Sequence, residues 1–372
     1  MGFDRFTRST YQTAHQTYVP TRGRATGKAE ELARNTGKLD PLVDPAAYGV
    51  IRRSLVRFSQ RSDGLYVVTA GLPVSIEQRL DTTGSMGRNV ENVLKVLPDT
   101  YDLVAKMLPG ADPHMAIGIF ADCVDRFVLC RPQFEMTADK IVHQLTLMVP
   151  EGGGGGNGGE DPQYGLFGAA YLTAAYINRI GLKGYDFTIT DEPARAYLDE
   201  SQLKRVFGED VFDKVSENGH EISKNELLST KQVIDDLLKR AHAFVLIVGD
   251  SANTARFWPS VIDESRIIQL PDVELLPQVQ AAIIGLTEGT LTLQSLEEFL
   301  LASETGRSNT DAIVRSVSNI PIGAQTVLEN FGKGPKVGDV FREKTDLWPM
   351  DPSEVPELTD EVDEGQEGPD WL

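Results

Sequence analysis

Four short apolar runs constrain this chain more than any other feature, each ending in a polar turn and separated from the next by helical patterning or a polar stretch. They are HMAIGIFAD (114–122), YDFTITDEP (185–193), AHAFVLIVGDS (241–251) and SRIIQLPD (265–272). A run such as AHAFVLIV, apolar without alternation, belongs to a strand covered on both faces, as in a parallel sheet. LPVSIEQRL (72–80) reads as a further strand ahead of them. Strands alternating with helices predict an α/β fold: a doubly wound, mostly parallel sheet flanked by helices, with helical additions.

Between the strands, Val90, Val93, Leu94, Leu97, Tyr101, Val104 and Leu108 recur at helical spacing, with Pro98 inside the run marking a kink or a break into two helices. Thr137 is placed to cap TADKIVHQLTLM. Asp161 and Pro162 stand as N-cap and first residue of a helix whose inward face is Leu166, Ala170, Thr173 and Ile177. DPAAYGVIRRSLVRFSQ (44–60) has a helical pattern. These readings divide the 372 residues into a polar, helical extension (1–62), an α/β domain (63–285) with a helical insertion over about 195–240, a C-terminal helical segment (286–333) and an acidic, Pro-rich tail (334–372) expected to be disordered.

A formal net charge of −19 argues against nucleic acid or an anionic membrane as the main partner, because both select a basic surface. The acidity is concentrated late, with ten Asp or Glu and no Lys or Arg from Thr345 onward. Two cysteines, Cys123 and Cys130, fit no zinc spacing and read as packing residues of a reduced, cytoplasmic protein. No window approaches the eighteen apolar residues of a membrane span, and the first residues lack a signal-peptide core.

The chemistry-bearing residues gather where the strands end. RLDTTGS (79–85) sets one carboxylate and three hydroxyls within five residues, just ahead of a helix. A glycine run, EGGGGGNGGED (151–161), leads to Asp161, and the strand YDFTIT ends at Asp191. In an open α/β sheet that edge binds ligands. A hard cation such as Mg²⁺ takes carboxylate, hydroxyl and water oxygens, seldom from one segment. Taken singly, each piece has a plainer reading: Ser85 as a helix cap, the glycines as a loop, Asp191 as a turn residue before Pro193, and Asp122 and Asp125 as solvated acids.

Taken together, they resemble the von Willebrand factor type A domain. DTTGS (81–85) resembles its DxSxS metal-ion-dependent adhesion motif, IGIFAD its second strand, GGNGGEDPQYGL its glycine-rich loop and ITDEP the strand carrying its last metal-site Asp, in the family's order over about residues 66–285. The resemblance implies a Mg²⁺ (or Mn²⁺) site formed by Asp81, Thr83, Ser85, Asp161 and Asp191, with Glu160 or Asn157 as alternatives to Asp161. Asp161 stands where the family usually has Thr, and Glu77 and Arg79 interrupt a strand the family keeps apolar. It further implies a non-enzymatic adaptor or scaffold that binds a protein partner, of the bacterial intracellular type that works beside MoxR-type AAA+ ATPases. The rival is a phosphatase similar to the haloacid dehalogenases. There Asp81 is the nucleophile, Asp250 of VGDSANT a metal ligand and Lys239 a phosphoryl contact; Thr83 then stands in place of that family's acid–base Asp.

Overall fold

The computed structural model describes residues 27–47, 51–87, 89–152, 159–222, 227–303 and 305–342. Asn157 and the acidic stretch from 343 lie outside them, as do the side chains of Val90, Leu94, Leu97 and Pro98.

Six strands form the central sheet: β1 (Leu72–Asp81), β2 (Ala111–Phe120), β3 (Leu129–Cys130), β4 (Gly184–Thr190), β5 (Ala241–Val248) and β6 (Ile267–Leu270). Their spatial order is β6-β5-β4-β1-β2-β3, all parallel except the antiparallel edge pair β2–β3. The architecture is therefore α/β with a mostly parallel, doubly wound sheet. Its order reverses direction between β1 and β4, and at such a switch point a crevice opens beyond the strands' C-terminal ends.

Because successive strand residues face opposite sides, each strand feeds two cores. Val74, Ile76 and Leu80 of β1, with Tyr185, Phe187 and Ile189 of β4, join the core under helices α1 (Asn89–Met107), α2 (Ala138–Leu147), α4 (Leu276–Glu288), α5 (Leu293–Ala302) and α6 (Arg307–Val317). Helix α3 (Pro162–Tyr171) covers the other face, with three helices of the 195–240 insertion and one after β5. α4 crosses residues 285–286, and Leu296, Leu300, Ile313 and Val317 bury themselves in the first core.

On that second face, β1 and β4 are polar at the switch point. Glu77, Arg79 and Asp81 alternate with the apolar set of β1 and lie beside Asp186, Thr188 and Thr190 of β4. The pairing that Glu77 and Arg79 need is supplied. Arg79 reaches Asp186 through two hydrogen bonds (2.6 and 2.5 Å) and donates to Thr188 Oγ1, while Arg131 donates to Glu77 from Nε (2.8 Å) and Nη2 (3.1 Å). Burial alone would raise the Glu77 carboxyl, but Arg131, followed by Arg79 and Arg52, holds it below its usual range. α3 accommodates these long side chains with glycine. A Cβ on Gly165 would sit 2.8 Å from Arg79, and one on Gly168 would sit 2.9 Å from Arg131.

Several local expectations are corrected. Residues 52–60 form short strands rather than a helix: Arg52–Ser54 pairs with Thr173–Ala175, and Phe58–Gln60 with Tyr66–Val68. Sheet pairing here overrides a weak helical pattern. Of the two readings at Pro98 the break is overturned, since one helix α1 spans Asn89–Met107, with Val93, Tyr101 and Val104 buried along it. Thr137 and Asp161 do stand at the N-cap positions, with Pro162 opening α3, but neither makes a side-chain cap bond. α3 ends at Tyr171, so Thr173 and Ile177 fall beyond it, and all ten of its residues are buried, so it has no single inward face. Residues 334–342 are ordered, with Val340–Phe341 pairing against Tyr66–Val67.

Candidate metal centre

β1 carries Asp81 to the switch point on its last residue, and the chain then turns so that Thr83 and Ser85 come back over it. Thr83 donates to Asp81 Oδ1 from its amide (2.9 Å) and its hydroxyl (2.7 Å). The Thr83 and Ser85 hydroxyls are 3.1 Å apart, and Ser85 donates to Asp191 Oδ1 at 3.0 Å. On the neighbouring strand Thr190 donates to Asp81 Oδ2 at 2.8 Å. Four of the five sequence-predicted ligands, Asp81, Thr83, Ser85 and Asp191, thus form one continuous chain of oxygens across β1 and β4. Ser85 gives its hydroxyl proton to Asp191.

Thr190 was not anticipated. Its position was readable in hindsight: it ends β4 beside Asp81 and directly precedes Asp191.

The electrostatics differ from those one layer down. Among the described residues no guanidinium or ammonium is hydrogen-bonded or ion-paired to Asp81. Burial pushes its carboxyl up to about 6 against the lowering pull of the Thr83 and Thr190 hydrogen bonds, and Asp191 adds to the rise. Asp191 is itself raised, chiefly by burial. Two carboxylates linked by hydroxyls make a site whose charge a dication can balance.

Both shoulders of the glycine run attach here. Gly152 donates to the Thr82 carbonyl (3.1 Å), and the Glu160 amide donates to the Pro193 carbonyl (3.0 Å) in a bridge that pairs Glu160 with Ala194. Asp161 turns elsewhere. One of its oxygens accepts from Arg195 Nε (3.0 Å) and from Gln163, and the other accepts from the Cys123 amide (2.5 Å). Arg195 also reaches Asp122 at 3.2 Å. Asp122, Cys123 and Asp161 do gather their ligand atoms within 4.8 Å of one another, but Arg195 already occupies that cluster. Burial, then Asp161, pushes the Cys123 thiol up to about 12, and both cysteines are free. Asp122, expected to be solvated, is fully buried.

Of the rival site, Asp250 is exposed at the end of β5, two strands from Asp81, and Lys239 pairs with Asp236 on the surface.

No family model matches the chain, and no curated protein matches it. Among solved structures, similarity is found to the pilus adhesin SpaC of Lactobacillus rhamnosus GG, at 13% identity and a TM-score of 0.37, covering 62% of this chain and 34% of that one. It is also found to proximal thread matrix protein 1 from the mussel byssus, solved with a zinc-occupied MIDAS motif, at 14% identity and a TM-score of 0.36, covering 58% of this chain and 46% of that one. The chain thus spans less than half of either. Likeness at these scores carries no inference about fold or function.

Among the described residues, no helix is long and apolar enough to cross a membrane.

Proposed function

We propose that the chain is a von Willebrand factor A-type protein that binds a partner through a divalent cation, Mg²⁺ or Mn²⁺, held by Asp81, Thr83, Ser85 and Asp191. The observation that carries this reading is the unbroken run of oxygens from Asp81 through Thr83 and Ser85 to Asp191, at the switch point and, among the described residues, with no basic side chain bonded to it. All four donors are hard oxygens, which favours Mg²⁺ or Mn²⁺ over metals that prefer nitrogen or sulfur. When bound, the ion supplies positive charge and an open position for an oxygen of the partner. The role is a binding one, in an adaptor or scaffold. A cytoplasmic setting and an AAA+ ATPase partner belong to the same proposal through the family resemblance.

Calorimetric titration with Mg²⁺ or Mn²⁺ tests it. Wild type should show one site, and Asp81→Ala should show none while remaining folded by circular dichroism. Equal affinity in the two proteins would remove the site from this edge. Hydrolysis of a generic phosphate ester that is abolished by Asp81→Asn would promote the phosphatase instead.

A further inference from the structure

The glycine run delivers a carboxylate to this edge, but it is not that of Asp161. Glu160 is only 7% exposed, and its Oε2 is buried without a hydrogen-bond partner. Its backbone is fixed against the segment that follows Asp191, through the bond to Pro193 and the bridge to Ala194. Of the charges that act on its carboxyl, Asp81 is foremost, ahead of Asp122, Asp161 and Glu192. A buried carboxylate oxygen with no donor is a costly arrangement. It becomes favourable if a cation held at this edge supplies the missing partner. Asp161, one residue on, has both oxygens occupied by Arg195, Gln163 and the Cys123 amide.

We propose that Glu160 is the ligand the glycine run contributes to the ion, and that the partner group meeting this ion is neutral, a carbonyl or carboxamide oxygen, rather than a carboxylate. The inference rests on the reading that Asp81 and Asp191 hold a dication. Three carboxylates against a charge of two leave the loaded site with one excess negative charge. A further carboxylate meets that charge with repulsion, whereas a neutral oxygen does not. The site supplies its own third anion, so the partner need not bring one.

Mn²⁺ serves as the probe, with affinity read by electron paramagnetic resonance and the ion's open position read by water-proton relaxation. Glu160→Gln, which preserves shape, should bind Mn²⁺ at least tenfold more weakly than wild type. Asp161→Asn should stay within about twofold. Acetate, a model for an acidic partner, should leave the relaxation of wild-type Mn²⁺ unchanged up to tens of millimolar and should lower it in Glu160→Gln. If Glu160→Gln does not fold, Glu160→Asp keeps the charge but shortens the reach, and the same weakening is expected. Mn²⁺ binding within twofold of wild type in these variants overturns Glu160 as ligand. Acetate acting equally on wild type overturns the neutral partner group. Asp81→Ala separates the two levels: if it still binds Mn²⁺, the parent site is wrong; if it does not while Glu160→Gln binds normally, only the present inference falls.

Discussion

Glu77, Arg79 and Asp81 stand on the same face of the same strand, yet their surroundings are opposite. Glu77 and Arg79 lie in a closed network with Arg131 and Asp186 in which each carboxylate meets at least one guanidinium. One pleat further on, Asp81 meets, among the described residues, hydroxyls and an amide. Asp81 is as buried as Glu77 and Arg79, so burial does not separate structure from function here. What separates them is whether the charge is balanced inside the chain. The floor is balanced and complete, and removing a partner should damage the fold. The edge is unbalanced, and neutralising it should relieve the fold while abolishing binding.

The strongest way to break this contrast is Arg79→Met. It leaves Asp186, raised chiefly by burial, without its main counter-charge. Breaking one side of a buried ionic network costs about 3–5 kcal/mol. Chemical denaturation should show that loss near neutral pH. A change below about 1 kcal/mol would mean that the floor is not holding the sheet.

Asp81→Asn should move stability the other way in protein kept metal-free with chelator. The folded carboxyl titrates at about 6 and the unfolded one near its ordinary 3.8. Below about pH 4 both states are protonated and the variant has no advantage. As pH rises from about 4 to 6 the unfolded state loses its proton first, and wild type loses stability. Above about 6 the deficit is complete, so the variant should be more stable at pH 7 by about 3 kcal/mol. A variant less stable than wild type at pH 7 would show that the edge is also a structural feature.

The smallest effect sharpens the boundary between the two regions. Gly165→Ala places a methyl group 2.8 Å from the Arg79 side chain and should cost about 1–3 kcal/mol by overpacking. Mn²⁺ affinity at the edge should stay within twofold, because the contact lies one layer down. A larger fall in affinity would mean that floor and edge move together.

The edge was far more legible in the sequence than the floor. Asp81, Thr83 and Ser85 fall within five residues, and Asp191 closes a strand, so local order exposes them. The floor is made of partners 54 residues apart (Glu77 with Arg131) and 107 apart (Arg79 with Asp186), and nothing in either neighbourhood predicts its match. The strands β2, β4, β5 and β6 were readable because a buried parallel strand needs an apolar run. The Arg52–Ser54 pairing was not, because its partner lies more than a hundred residues away at Thr173–Ala175. Asp161 shows a subtler limit. Asp followed by Pro looks like a helix start from sequence alone, but Arg195, 34 residues on, takes the carboxylate. Which of two adjacent acids faces the edge is then decided by backbone pairing at Glu160 and not by residue type.

The ordering of residues 334–342 has a consequence for how the molecule can be held. Gly334 packs against Leu72, the first residue of β1, and Asp81 is the last. Nine steps of about 3.3 Å put roughly 30 Å between them. Gly334 therefore lies at the foot of β1, with the oxygen-lined edge at that strand's other end. A surface or bead coupled through the neighbouring exposed Lys333 holds the protein from that foot, so immobilised binding measurements can be mounted from the end of β1 opposite the one they are meant to probe.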